Sequence, residues 1–231
     1  MKKEIKKSRL YMKIKISLVL NIIIVLFVLL ASIMMFAKIR FMPGDIILET
    51  SKIGMFKFFT VDSNILMGLV SIIFIIKELR IIKGKEKEIS KVLYILKLAA
   101  TTSVSLTLIT VFGYLGFIVD GGVIVLLKNS NLFFHLLVPL LSIITFIFFE
   151  KTNKLDFKCT FLGIIPMFIY GIVYTTNVLI HINNGKVNPI YDFYHFVQGG
   201  INQAFIAVPI IFLTTYIISL VLWKFNRKVE D

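Results

Sequence analysis

Six apolar runs follow one another near residues 16–37, 58–76, 92–119, 132–149, 160–181 and 201–223, and most of the charge falls in the connections between them. An α-helix needs about 20 residues, at about 1.5 Å each, to cross the hydrocarbon of a bilayer. Inside hydrocarbon every backbone N–H and C=O must be bonded within the chain, which leaves helices as the fold for runs like these. The sequence therefore predicts an all-α membrane protein, a bundle of six transmembrane helices forming a single integral membrane domain over residues 1–231. Composition agrees: 58% of the 231 residues are hydrophobic and 17% charged, against about 45–50% and about 25% in soluble domains. The first run follows a basic stretch, MKKEIKKSRLYMKIK, but exceeds the roughly 7–15 residues of a signal-peptide core, and is read as a retained span. The third run is long, which predicts either a tilted helix or a Gly113–Gly116 end emerging as a loop.

The net charge of +13 does not point to nucleic acid, because the basic residues cluster between apolar runs and no nucleic-acid module accompanies them. With six spans, alternate connections carry 19 Lys and Arg on one side against 6 on the other. The positive-inside rule then places both termini in the cytoplasm. The expected location is a cell membrane, and the abundance of Lys, Ile and Asn suggests a bacterial one. The basic connections also favour anionic lipid. The lone Cys159 leaves no internal disulfide and no cysteine-based metal site.

In this topology two distant stretches reach one depth. The second run opens FFTVDSNIL, with Thr60, Asp62, Ser63 and Asn64; the fourth opens NLFFHLLVP, with His135. Both start at the outer surface. Thr60, Ser63, Asn64, Met67, Gly68 and Ser71 share one helical face, expected to meet protein rather than lipid. Asp62 projects elsewhere, as an anion at a helix N-terminus. In the fifth run Gly163, Pro166, Tyr170, Tyr174, Asn177 and His181 recur at helical spacing. Asp120, Tyr191, Asp192 and His195 lie at the same level. The polar load is expected at this end alone, since the inner halves of the second and fourth runs are almost wholly apolar. Each feature also has a plain explanation: a membrane Thr or Ser commonly bonds its own backbone, an Asn can join helices, and Pro139 can simply kink its helix.

The stretches FFTVDSNILMGLV, FHLLVPLLSIITFIFFE and PMFIYGIVYTTNVL resemble the androgen-induced-1 / FAR-17a-like membrane proteins, including bacterial members of the Pr6Pr type. The shared pattern covers roughly residues 15–223. It is an aromatic-Thr-x-x-Ser-Asn opening of the second span, a His shortly before a Pro in the fourth, and a Pro with tyrosines in the fifth. The resemblance implies a six-span bundle and a threonine-dependent hydrolase of fatty acid esters, with Thr60 and His135 as the catalytic pair. The charged Asp62 departs from the family pattern, which bears on the substrate.

A threonine hydroxyl needs a base within about 2.6–3.2 Å to act as a nucleophile, and an imidazole suits that work near neutral pH. Ser63, Asn64, Tyr174 and Asn177 are candidate donors to substrate or oxyanion, and Asp120 or Asp192 are candidates to orient the imidazole. The expected partners are membrane lipid and a lipid-ester substrate, with no cofactor. Two other readings stand beside this one. His135, His181 and His195 with Asp62 or Asp192 could ligate zinc, or the chain is a non-catalytic sensor, assembly factor or transporter subunit.

Overall fold

The structure is a computed structural model; it describes residues 2–43, 52–183, 186–188, 190–194, 196–197 and 201–227. His195 lies outside the described residues. The chain is mostly helical: α1 (Lys2–Ala37), α2 (Phe59–Ile82), α3 (Lys91–Ile118), a short α4 (Gly122–Leu126), α5 (Ser130–Phe149), α6 (Cys159–Ile180) and α7 (Ile201–Asn226). A two-stranded hairpin, β1 (Ile182–Asn183) and β2 (Lys186–Val187), lies between α6 and α7.

Among the described residues, five helices are long and apolar enough to cross a membrane: the Leu10–Ala37 part of α1, then α3, α5, α6 and the Ala204–Asn226 part of α7. The run near 58–76 folds as α2, a 24-residue helix that is not one of these five. It carries Asp62 in its first turn and Lys77, Glu78 and Arg80 near its far end.

Helix α3 is the hub, contacting α2, α5, α6 and α7. Two-thirds of its most apolar stretch is buried (67%), against 22% in α6 and in α7. Its buried Ser103 and Ser105 donate to the carbonyls of Ala99 and Thr101, four residues back, which spends their hydroxyls without another helix. Such small side chains let neighbouring helices approach closely. The face of α2 expected to meet protein does so: Ser63, Asn64, Met67 and Ser71 are buried. Gly68 lies against α1, where a Cβ would come within 3.0 Å of Val28 Cγ1. The outward surface is apolar, with Leu26, Ile33, Ile169, Ile172, Ile210 and Leu213 exposed. Such a surface suits lipid and is not expected of a soluble monomer.

Helix α3 does not loop out near Gly113. It passes through a π-helical turn, Val111–Leu115, and stays helical to Ile118. Helix α5 carries two π-helical turns, Phe133–Leu137 and Thr145–Phe149. At its C-terminal end α5 is fastened by α7: Asn226 Nδ2 donates to the carbonyls of Phe146 at 2.6 Å and Glu150 at 3.0 Å. The connections on that side are crossed by exposed ion pairs, Lys91–Asp156 at 2.7 Å and Lys154–Glu88 at 2.9 Å. The hydrogen bond from the Lys91 ammonium holds the Asp156 carboxyl down at about 2, below its ordinary 3.8.

Candidate functional site

The first turn of α2 has no side-chain cap of its own. The phenol oxygen of Tyr194, from the connection before α7, accepts the Phe59 N–H at 3.0 Å and so satisfies one of the unpaired donors of a helix start. Burial pushes the Tyr194 hydroxyl up from its ordinary range, which keeps it neutral in this place. Tyr170 Oη donates to the Lys57 carbonyl at 2.6 Å. Together these bonds join α6 and the last connection to the opening of α2.

Between α2 and α6 lies a cleft of about 480 Å³, within the size range of small-molecule sites. Phe59, Leu66, Ile169 and Val173 give it apolar walls, while Asp62, Ser63, Tyr170, Tyr174 and Asn177 supply polar groups. The periodic face read in the fifth run is thus the α6 wall of a real cavity. Gly163, from the same series, instead serves packing: a Cβ there would meet Ser219 Oγ of α7 at 2.1 Å. Asp62, read as a helix-end anion or a zinc ligand, lines the cleft. Its projection away from Thr60 was the signal that could have placed it there.

Thr60, Asn64 and His135 do not line the cleft. They form a junction beside it. Asn64 Nδ2 donates to the Thr60 carbonyl at 2.7 Å and to the Phe134 carbonyl of α5 at 3.1 Å, so one amide holds the Thr60 turn against the residue preceding His135. At about 100° per residue, Thr60 projects about 40° from Asn64 on one side and about 60° from Ser63 on the other. The half-buried Thr60 therefore stands where the cleft side of α2 meets the α5 side.

His135 is buried within the π-helical turn Phe133–Leu137. Pro139 has no N–H to offer the carbonyl four residues back, and the Val138 N–H reaches the Phe133 carbonyl, five residues back. Wide turns of this kind recur at functional sites. His135 Nδ1 lies 2.6 Å from the Leu126 carbonyl. A carbonyl only accepts, so Nδ1 carries the proton and Nε2 keeps a free lone pair, the tautomer a base requires.

The remaining candidates differ in what they meet. Asp192 is buried, but it accepts from Tyr174 Oη and from the N–H groups of Phe196 and Val197; Asp120 is exposed in the turn after α3. Neither carboxylate is hydrogen-bonded to His135, whose Nδ1 partner is the Leu126 backbone. No hydrogen bond joins Thr60 to His135 among the described residues. The Ser63 hydroxyl donates to the Thr60 carbonyl, and Asn64 and Tyr174 are likewise engaged as donors. Of these candidates the Asn177 amide is the one with no hydrogen bond among the described residues, and it faces the cleft. His181 Nδ1 meets the Asn177 carbonyl at 2.7 Å, and its ring stacks on Tyr191 at 3.5 Å. Among the described residues no three His, Cys, Asp or Glu side chains gather as a metal site would require.

A second polar centre lies at the other end of α2, where the sequence predicted almost wholly apolar packing. Thr60 and Glu78 are separated by about 27 Å of helix rise. Here Lys97 of α3, Glu150 after α5, Ser17 and Asn21 of α1 and Ser71 of α2 gather on the face of α2 that carries Glu78, all buried. Lys97 Nζ is 3.2 Å from Glu150 Oε1, with both side chains essentially inaccessible, at 0% and 1%. The same Glu150 oxygen accepts from Ser17 Oγ at 3.1 Å and Asn21 Nδ2 at 2.8 Å. Lys97 Nζ also donates to Asn21 Oδ1 and Ser71 Oγ, and stands 4.6 Å from the Phe74 ring centroid. The polar load is therefore at both ends, not one. No family model, curated protein or solved structure matches this chain.

Proposed function

We propose that the chain is a six-span integral membrane protein of a bacterial cell membrane, with α2 as its sixth span and both termini in the cytoplasm. On this reading it hydrolyses a lipid ester at the end of the bundle facing outwards. The asymmetric distribution of Lys and Arg supports the orientation. The observation that carries the site is the Asn64 bridge, which joins the Thr60 turn to the backbone beside His135. It also supports the likeness to the androgen-induced-1 / FAR-17a-like proteins as a likeness of function.

In the proposed reaction the acyl chain lies along the apolar walls of the cleft, with its ester at the Thr60 edge. His135 Nε2 takes the hydroxyl proton of Thr60 as Oγ1 attacks the ester carbonyl carbon. The tetrahedral intermediate collapses, its C–O bond to the alcohol breaks, and the alcohol leaves with the proton from His135. Water, activated by the same nitrogen, then hydrolyses the acyl-threonine and releases the fatty acid. Asn177, with its amide unengaged, is the donor best free to meet the oxyanion.

The test is labelling with a lipid-like fluorophosphonate in liposomes. The wild type and Thr60→Ser should be labelled, and Thr60→Ala should not. Equal labelling of Thr60→Ala would remove the threonine from the mechanism. Orientation is checked separately with single cysteines in a Cys159→Ser background: Ile124→Cys, at an exposed position, should react with an impermeant reagent in intact cells, and Glu88→Cys should not.

The second reading, a sensor or transporter subunit, is favoured by one observation, the buried charges around Lys97. Ionisable groups within membrane helices commonly mark ion or proton pathways.

A further inference from the structure

Lys97 Nζ donates to Asn21 Oδ1 and Ser71 Oγ and stands 3.2 Å from Glu150 Oε1 as an ion pair. A carboxylate oxygen at that distance and the Phe74 ring face 4.6 Å away both favour the charged form. Glu150 Oε1 gathers Lys97, Ser17 and Asn21, three donors on one oxygen, which fits an ionised carboxylate. Lys97 and Glu150 thus balance one another.

Glu78 is then left over. It is buried at 2% exposure, and it shares a face of α2 with Ser71 and Phe74, the two α2 residues that meet Lys97. Among the described residues its Oε2 has no hydrogen-bond partner, and neither has Glu150 Oε2. The titratable groups acting on Glu78 are Glu150 from the end of α5 and Lys97 and Tyr94 from α3; the neighbouring α1 side chains, Ser17 and Asn21, carry no charge. Two carboxylates and one ammonium would bury one uncompensated negative charge, which is strongly unfavourable away from water. Two buried acceptor oxygens without a donor lack the same thing that the charge balance lacks, a proton.

We propose that Glu78 and Glu150 form a proton-binding site which holds one proton between them in this conformation, with Lys97 as its fixed counter-charge. The four helices α1, α2, α3 and α5 meet on this one site. Losing the proton would set two carboxylates against one ammonium and force the helices apart or let water in. The site is thereby a coupling point between protonation and the packing of that end of the bundle. It does not depend on the hydrolase reading, since none of its residues belongs to the cleft or to the Thr60 junction.

The test is infrared difference spectroscopy of the protein in lipid at neutral pH, wild type minus variant, on the C=O stretch of a protonated carboxyl. The wild type should show the band. Glu78→Gln and Glu150→Gln should each abolish it, because each leaves one carboxylate for one ammonium. Lys97→Met should strengthen it roughly twofold, since both carboxyls must then be neutral to remain buried. Glutamine keeps the shape of a protonated glutamate, so the two Gln variants should fold, and a melting curve verifies this. A wild type without the band, or a band that survives in both Gln variants, would overturn the proposal. So would a band that appears only when sodium is replaced by a large organic cation, because the site would then hold a metal ion and not a proton.

Discussion

The two ends of α2 handle polar groups in opposite ways. At the Thr60 end hydroxyls, amides and tyrosines are joined mostly through backbone carbonyls, and a cleft opens beside them in which Asp62 and Asn177 remain accessible. At the Glu78 end full charges are enclosed, 0% and 1% accessible at Lys97 and Glu150, and bonded to one another. An open site with unspent donors can receive a ligand. A closed site whose cation is already paired suits a small ion, and on the proposal above that ion is a proton. One helix thus links a site suited to a substrate with a site suited to holding charge.

The sharpest break in that contrast is Lys97→Ala. Removing the ammonium forces the second carboxyl to take up a proton or lie uncompensated, and the expected loss is up to about 3–5 kcal/mol, read as an earlier midpoint in detergent unfolding. At the other end the effects should be smaller, because neutral hydrogen bonds are at stake. Asn64→Ala releases the Phe134 carbonyl and should cost about 1–2 kcal/mol; it should also lower ester hydrolysis by more than this stability loss explains. Tyr174→Phe takes a donor from buried Asp192 and should cost about 1–3 kcal/mol, with the 190–197 connection becoming more sensitive to protease. Asp62→Asn should change stability by about 0.3–1 kcal/mol, the scale of a helix-end charge, while altering which substrates enter the cleft.

The smallest effect belongs to the exposed Lys91–Asp156 pair, since solvent-exposed ion pairs contribute little. Asp156 titrates below its unfolded value, so its contribution is present above pH 3.8 and is lost as pH falls towards about 2. Asp156→Asn should lower the melting temperature at neutral pH only slightly, and the two proteins should converge as pH falls towards about 2, where the wild type has lost the same contribution.

Much of the fold was legible because long apolar runs leave a helix no alternative. The α6 wall was readable from the spacing of Pro166, Tyr170, Tyr174 and Asn177, and the buried face of α2 from Ser63, Asn64, Met67 and Ser71. Glu78 and Glu150 were hidden by a boundary effect. Hydropathy ended the second run at 76 and the fourth at 149, so both glutamates read as connection residues, whereas α2 continues to Ile82 and Asn226 fastens the turn at Glu150 inside the bundle. Lys97 lies near the start of the third run, but its partners come from three other segments and no local pattern announces them. The Leu126 carbonyl as the partner of His135 was equally out of reach, since every residue offers a carbonyl.

The central claim is that Thr60 and His135 act as one unit beside the cleft. Its most direct test is ester hydrolysis in liposomes by the wild type, Thr60→Ala, His135→Ala and the double variant, each checked for folding. The three variants should lose similar amounts of activity, far short of the product of the single losses, because a nucleophile without its base and a base without its nucleophile fail alike. Full activity in Thr60→Ala, or losses that multiply in the double variant, would contradict the claim.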